Sequence, residues 1–218
     1  MTQTSIESQI AEFNRGFEAQ IGPELSGTFA QEQADLRAAG HPDGVVPAGD
    51  RLPEATLLGA DGQEVELTEV LGSSAGVLVF YRGAWCPYCN ITLRTYQREL
   101  LPSLVEQGIK LVAISPQHPE GSGATAKDAE LDFDVLSDPG NRLAAAIGIV
   151  TEPSAEARSA HTQLGFEVSD SNADDTAAIP FPTVAVVDAS RTVRFMDVHT
   201  DYTTRTEVAD ILEAVRDL

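Results

Sequence analysis

The chain has 218 residues, 42% of them hydrophobic, which suits one soluble domain with a sizeable core. Its 34 acidic residues oppose 14 basic ones, and the net charge of −20 makes nucleic acid and anionic membranes poor partners. No apolar run approaches the roughly 18 residues that span a bilayer, and the N-terminus lacks the basic and apolar regions of a signal peptide. We therefore expect a cytoplasmic protein.

The first 44 residues are expected to form an N-terminal helical extension. Apolar residues recur at helical spacing from Ile6 to Ile21, Gly22-Pro23 interrupts the pattern, and a shorter stripe runs from Leu25 to Leu36. We expect these helices to cover the core of the domain that follows. The alternative is that they mediate homodimerisation.

Residues 45–218 are expected to form an α/β domain, because strand and helix patterns alternate along them. A turn at Asp61-Gly62 predicts a hairpin, and residues 151–180 have the composition of an insertion with a helix around 153–163. Further strands are predicted at 77–81, 109–115, 133–136, 183–188 and 193–196. Further helices are predicted from the end of the cysteine motif to about 107, within 116–130, and from an Asn141 cap to Ile147. A final helix is predicted to end near Val215 and to begin with a capping box formed by Thr204 and Glu207.

Both cysteines of the chain lie in the run Trp85-Cys86-Pro87-Tyr88-Cys89, directly after a predicted buried strand. The unpaired N–H groups and the positive dipole end of a helix N-terminus favour a thiolate over a thiol. A second cysteine one turn later lies on the same helix face, near enough for a disulfide, and Pro87 suits the first helical turn. The pattern predicts thiol–disulfide redox chemistry in a thioredoxin-like fold, a central mixed sheet flanked by helices.

Two other interpretations of the cysteine pair were considered. A structural zinc site needs four ligands, and the chain has no second cysteine pair and only scattered histidines, so we expect no metal and no organic cofactor. Two inert buried cysteines would require strand, motif and helix to coincide by chance. Redox chemistry is the better explanation.

A proline near the predicted strand at 183–188 supports the redox hypothesis. Pro180-Phe181-Pro182-Thr183 leads into this strand, where proline is disfavoured because it removes a hydrogen-bond donor. In the thioredoxin fold a cis-proline at this point lies beside the dithiol and shapes the groove for the partner's backbone. Pro182 matches that position.

The run from Phe80 to Cys89 resembles the F-Y-R-G-x-W-C-P-Y-C motif of a bacterial subgroup of the peroxiredoxin-like (AhpC/TSA) family, within the thioredoxin superfamily. The segments Gly49–Pro53 and Asp201–Arg205 are also similar to that group, and the resemblance covers most of residues 45–218. It implies an antioxidant enzyme that reduces peroxides with a cysteine. A thioredoxin-type or low-molecular-weight thiol would then regenerate that cysteine.

The chain departs from the usual family motif, P-x-x-x-T-x-x-C. Arg82 stands at the proline position, Cys86 at the threonine position and Cys89 at the peroxidatic cysteine. The arginine that the family places before the strand at Thr183 is also missing. Because peroxide cleavage needs donors that polarise the O–O bond, we expect Arg82 or Arg205 to supply the lost cation.

The order in which the two cysteines act stays open. A thioredoxin-like mechanism makes Cys86 the nucleophile and Cys89 the resolving thiol, whereas a peroxiredoxin mechanism reverses these roles. The sequence favours Cys86, because it lies closer to the helix end and to solvent. We expect the groups that bind substrate or partner to be Arg82, Trp85, Pro87, Tyr88, Pro182 and Arg205, with His118 as a weaker candidate for a proton carrier.

Three functions follow from these observations. The first is a thiol-dependent peroxidase that reduces hydrogen peroxide or organic hydroperoxides. The second is a dithiol–disulfide oxidoreductase, which the glutaredoxin-like Cys86-Pro87-Tyr88-Cys89 tetrapeptide also fits. The third is a non-catalytic redox sensor that signals through its N-terminal helices.

Overall fold

A computed structural model describes residues 5–218, so the first four residues of the predicted 1–44 extension lie outside the described part. The strands are β1 (Thr56–Leu58), β2 (Glu64–Glu66), β3 (Gly76–Phe80), β4 (Lys110–Ser115), β5 (Asp134–Ser137), β6 (Val150–Thr151), β7 (Ile179–Pro180), β8 (Thr183–Val187) and β9 (Val193–Val198). The helices are α1 (Ile6–Ala39), α2 (Leu67–Leu71), α3 (Pro87–Thr95), α4 (Leu101–Glu106), α5 (Pro119–Asp128), α6 (Arg142–Ala146), α7 (Ala155–Gln163), α8 (Val168–Ser171) and α9 (Val208–Ala214).

Seven strands form one mixed sheet in the spatial order β2-β1-β5-β4-β3-β8-β9, flanked by helices. The central strand β3 runs parallel to β4 and antiparallel to β8. All five residues of β3 are buried, as expected for a strand covered on both faces. Val77 and Val79 face the core beneath α3, and Leu78 and Phe80 face the opposite core. The predicted α/β class is confirmed, and the cysteine motif follows the end of the central strand.

Helix α1 covers the core, as predicted, and bends at Gly22. The backbone of Gly22 has φ 81°, outside the helical range, and Pro23 follows at once. Ile6 and Ile10 are buried in the core beneath α3, and α1 also packs against α7. Beyond the kink, Glu32 accepts the N–H of Ser154 and Arg37 pairs with Asp201, so the second half of α1 lies against the loops that carry these residues.

The predicted capping box of α9 is wrong. Thr204 Oγ1 donates to the carbonyl of Asp201 instead of capping the helix. The Glu207 carboxylate accepts the N–H groups of Ile6 at 3.0 Å and Glu7 at 2.9 Å, and so caps the distant helix α1. Local spacing could not indicate this partner, because it lies at the other end of the chain.

Two further local predictions are corrected. Asn141 occupies the N-cap position of α6 as predicted, but its side chain makes no capping hydrogen bond, because its amide donates to the carbonyl of Ala178. The Asp138 carboxylate instead accepts the N–H groups of Leu143 and Ala144. The helix after the cysteines is also not uniform: a π-helical turn at Tyr96–Leu100 joins α3 to α4 just before Pro102, which has no N–H to donate.

The segment 151–180 carries the predicted helix and more structure than the sequence indicated. Helix α7 confirms the prediction for 153–163, α8 follows it, and β6 pairs with β7 at the base of the segment. This arrangement returns the segment to the sheet and brings His161 and Phe166 next to Trp85. Within residues 5–218, none of the helices has the length and apolar character to cross a membrane.

Candidate active site

The cysteine pair lies at the N-terminus of α3. Cys86 is the N-cap residue, with extended backbone angles, and Pro87 occupies the first helical turn as predicted. Both thiols are free, and each residue is only 1% exposed. Surface exposure therefore does not separate the two residues as the sequence led us to expect, although Cys86, unlike Cys89, lines a cavity beneath α1.

Arg205 contacts both sulfur atoms from the loop between β9 and α9. Its Nη2 lies 3.3 Å from Cys89 Sγ and 4.0 Å from Cys86 Sγ. Its Nη1 donates to the carbonyls of Tyr202 and Thr204, each at 2.6 Å, which fixes the guanidinium plane. Arg205 is thus the cation beside the dithiol that the sequence led us to expect, and its guanidinium lies closer to Cys89 than to Cys86.

The surroundings of the two thiols separate their pKa values. Burial raises the pKa of Cys86, and the adjacent Cys89 sulfur raises it further. Burial also acts to raise the pKa of Cys89, but hydrogen bonding from Cys86, the charge of Arg205, and the backbone N–H and charge of Arg82 lower it to about 5. The surroundings of the pair therefore favour a thiolate on Cys89 over one on Cys86.

Arg82 is buried between two aromatic rings. Its Cζ lies 4.1 Å from the ring centroid of Tyr202 and 4.9 Å from that of Trp85, distances typical of cation–π contacts. Arg82 forms no ion pair within the described chain. The arginines that do are Arg15, Arg37, Arg98, Arg158, Arg194 and Arg216. The positive charge of Arg82 is thus available beside the dithiol.

The turn between β3 and the dithiol is held by Gln117. The Gln117 side chain accepts the N–H of Ala84 at 2.9 Å and donates to the Tyr81 hydroxyl at 3.0 Å. Gly83 has φ 140°, and a Cβ at this position would lie 2.6 Å from Trp85 Nε1, so a larger residue would displace the indole. The turn therefore fixes Trp85 and the start of α3.

A cavity of about 410 Å³ lies beside Cys86. Trp85, Pro87, Tyr88 and Arg82 line it, so four of the predicted substrate-binding or partner-binding residues meet there. The other walls come from α1, from residues 161–166 at the end of α7 and just after it, and from Tyr202. The Tyr88 hydroxyl donates to Asn14 Oδ1 at 2.9 Å and ties α1 to α3.

The remaining sequence candidates lie elsewhere. Pro182 and Arg205 border a small space on the Cys89 side of the pair, and all peptide bonds in the described residues are trans, which contradicts the expected cis-proline at Pro182. His118 is exposed at the start of α5 and does not line the cavity. Among residues 5–218, no cluster of three or more His, Cys, Asp or Glu side chains could hold a metal ion.

The sequence did not indicate His161. This side chain is 5% exposed, stacks between Phe29 and Phe166, and its Nδ1 has no hydrogen-bond partner among the described residues. Burial and then the positive charge of Arg82 lower its pKa to about 4, so it is neutral near pH 7. A histidine 72 positions after Cys89 carries no local spacing signal that links it to the site.

Comparison with known proteins places the chain among peroxiredoxin relatives. The sequence model of the AhpC/TSA family matches residues 48–196. A candidate peroxiredoxin of Mycobacterium tuberculosis is 36% identical over 105 residues, 48% of this chain and 65% of that protein. Peroxiredoxin Bcp of Escherichia coli is 30% identical over 107 residues, 49% of this chain and 67% of that protein. The match to the Mycobacterium relative thus spans just under two thirds of its length.

Solved structures agree on the fold. Peroxidoxin BcpB from Mycobacterium tuberculosis aligns with a TM-score of 0.60 at 20% identity, over 78% of this chain and 97% of that one. A peroxiredoxin-like protein from Aquifex aeolicus aligns with a TM-score of 0.62 at 16% identity, over 79% of this chain and 88% of that one. The predicted thioredoxin-like fold is confirmed.

Proposed function

Because the chain belongs to the AhpC/TSA family, we propose that it is a thiol-dependent peroxidase that reduces hydrogen peroxide or organic hydroperoxides with Cys86 and Cys89. The contact of Arg205 Nη2 with Cys89 Sγ at 3.3 Å carries this proposal. Peroxide cleavage needs a thiolate and an adjacent hydrogen-bond donor, and this contact supplies both. It also supports Cys89 as the first nucleophile, in place of the Cys86 that the sequence favoured.

In the first step the Cys89 thiolate attacks one oxygen of the peroxide. The O–O bond breaks, Cys89 becomes a sulfenic acid, and the second oxygen leaves as alkoxide or hydroxide, which takes up a proton. The Nη2 of Arg205 stays beside Cys89 Sγ, because the Nη1 of the same guanidinium donates to two backbone carbonyls. It therefore stabilises both the thiolate and the charge that develops on the departing oxygen.

In the second step Cys86 resolves the sulfenic acid. The Cys86 sulfur attacks Cys89 Sγ, the disulfide forms, and the sulfenic oxygen leaves as water with the thiol proton. The two cysteines are one helical turn apart at the start of α3, so this step needs only a local rearrangement. One thioredoxin-type dithiol, or two molecules of a low-molecular-weight thiol, then return the pair to the reduced state and leave as a disulfide.

A second function keeps specific support. The CxxC pair at a helix N-terminus, with a cavity beside its first cysteine, also fits a dithiol–disulfide oxidoreductase. In that function Cys86 attacks a substrate disulfide. Its raised pKa weighs against this order of events, because a protonated thiol is a poor nucleophile.

Competition between oxidants separates the two functions. We expect tert-butyl hydroperoxide to oxidise the reduced protein at least about 100-fold faster than bis(2-hydroxyethyl) disulfide does at pH 7, because the buried thiolate has an oriented donor for oxygen. The rates are followed by the fluorescence of Trp85, the single tryptophan of the chain. The opposite order of rates would favour the oxidoreductase.

We propose that the protein is cytoplasmic and that it consists of a helical segment at 1–44 and a catalytic domain at 45–218. Both cysteines of the sequence lie in the CxxC motif, which leaves none for a separate structural disulfide and so supports a reducing compartment such as the cytoplasm. The family match begins at residue 48, which supports an appended helical segment at 1–44 and a catalytic domain at 45–218. In this division the appended helix completes the site, because Phe13 and Phe17 line the cavity beside Cys86.

A further inference from the structure

The cavity beside the dithiol has a composition that peroxide reduction alone does not require. Its volume of about 410 Å³ is in the range of small-molecule sites and far exceeds the size of hydrogen peroxide. Cys86 is part of its lining, whereas Cys89 is not. Seven of the fifteen described residues that line it are Phe, Tyr or Trp.

The lining of the cavity carries the positive charge of Arg82, while Glu18 and Glu32 lie outside the lining and act on Tyr88 and Tyr202. Arg82 is the charged group of the lining at neutral pH, because Gln20 and Gln33 are neutral and His161 has a pKa of about 4. Glu32 borders a separate small space that Arg82 also reaches, but its carboxylate accepts the N–H of Ser154 at 2.8 Å and forms no ion pair with Arg82 within the described chain. The cavity therefore fits an organic anion with an apolar body.

The position of Cys86 indicates which reactant enters. Cys86 lines the cavity, whereas Cys89 is the sulfur nearer to Arg205, so a disulfide formed between them in place would present its Cys86 sulfur to the cavity. Building on the proposed function, we propose that the cavity admits the reductant, a low-molecular-weight thiol with an apolar body and an anionic group that pairs with Arg82.

The exchange runs in two balanced steps. The thiolate of the reductant attacks Cys86 Sγ, the Cys86–Cys89 bond breaks, and its electron pair goes to Cys89, which leaves as the thiolate that Arg205 stabilises. A low pKa makes Cys89 the better leaving group. A second thiol then attacks the outer sulfur of the mixed disulfide, which releases the reductant disulfide and returns Cys86 to a thiol after protonation.

The walls of the cavity disfavour a protein reductant. A protein thiol reaches a disulfide only when the sulfur lies at the surface, and both cysteines are 1% exposed beneath α1 and the residues at the end of α7. Phe13 of α1 packs edge-on against Tyr88, and Phe166 packs against Trp85. A folded partner would have to displace these contacts, whereas a small thiol occupies the space between them.

The test begins from the disulfide form, prepared with diamide, so it reports only on reduction. The recovery of Trp85 fluorescence is measured with 4-(mercaptomethyl)benzoate, with its neutral analogue benzyl mercaptan, and with a bacterial thioredoxin, all at one ionic strength. We expect the anionic aromatic thiol to react about tenfold faster than the neutral one, which corresponds to one good charge-assisted contact. We also expect it to react faster than thioredoxin at equal concentration.

Variants assign that preference to Arg82. The ratio of anionic to neutral rates cancels any change in the leaving-group pKa of Cys89. Arg82→Gln should bring this ratio to about 1, and Arg82→Lys should retain most of it, because the charge persists. Exposed Arg216→Gln serves as the matched control and should leave the ratio unchanged. Binding of 4-methylbenzoate, an unreactive probe, should change Trp85 emission in the reduced wild type.

Three results would overturn the inference. They are equal reduction rates with the anionic and neutral thiols, reduction by thioredoxin that is much faster than by either small thiol, or a ratio of anionic to neutral rates in Arg82→Gln that equals the wild-type ratio. The wild-type ratio decides the matter even when a variant fails to fold. Slow oxidation of the reduced protein by peroxide is a separate measurement. It would count against the peroxidase proposal and leave the reductant preference intact.

Discussion

Replacement of Cys89 by serine is expected to abolish peroxide consumption, with a loss of at least about 1,000-fold, because a serine hydroxyl is not ionised near pH 7. Cys86→Ser is expected to keep the first oxidation within about tenfold of wild type and to stop at the sulfenic acid, because the resolving thiol is missing. Dimedone labelling and intact-mass analysis identify the trapped cysteine in the single-turnover reaction.

The two cysteine variants serve as controls for each other, because the residues are equally buried at the start of α3. A sulfenic acid found on Cys86 in Cys89→Ser, with full oxidation rate, would restore the order that the sequence favoured. Peroxide consumption in both variants at the wild-type rate would mean that neither thiol is the site of reaction.

Loss of the Arg205 guanidinium is expected to give the second largest effect. Arg205→Gln should slow the oxidation by peroxide about 100-fold to 1,000-fold at pH 7, the range seen when one oriented donor is removed. The Arg205 cation favours the thiolate form of Cys89, so its removal raises the pKa of Cys89. The pH at which the rate is half-maximal should therefore move upward.

Three measurements separate this role from a structural one. Arg205→Lys should recover part of the rate, because it keeps the charge but not the anchored fork of nitrogens. Exposed Arg216→Gln, a charge loss elsewhere on the chain, should leave both the rate and the pH midpoint unchanged. An Arg205→Gln protein that is folded and slow, yet titrates at the wild-type pH, would contradict the assignment.

The sequence predicted the elements whose causes are local. The all-buried strand β3, the proline in the first turn of α3 and the break at Gly22-Pro23 each follow from the residues present at that point. The motif also predicted the dithiol and a nearby cation. Arg205 was a candidate only through the resemblance of Asp201–Arg205, because 116 positions separate it from Cys89.

The failures of prediction share a long-range cause. Cys86 was expected near solvent, as is usual at a helix start, but Phe13 and Phe17 of α1 and Phe166 close over it. Glu207 matched a local capping pattern, yet its carboxylate caps α1. His161 entered the site only because the 151–180 segment folds back along β6 and β7. None of these contacts leaves a periodic pattern in the sequence.

The peroxidase mechanism requires that Cys89 be a thiolate at neutral pH. Stopped-flow Trp85 fluorescence of the reduced wild-type protein, mixed with hydrogen peroxide from pH 4 to 9, measures the pH at which this thiolate is lost. With a pKa of about 5 for Cys89, the rate constant should be level above about pH 6 and fall tenfold per unit below about pH 5. At the plateau it should exceed about 10³ M⁻¹s⁻¹. A rate constant no greater than that of a free thiol, still rising through pH 8 to 9, would contradict the account.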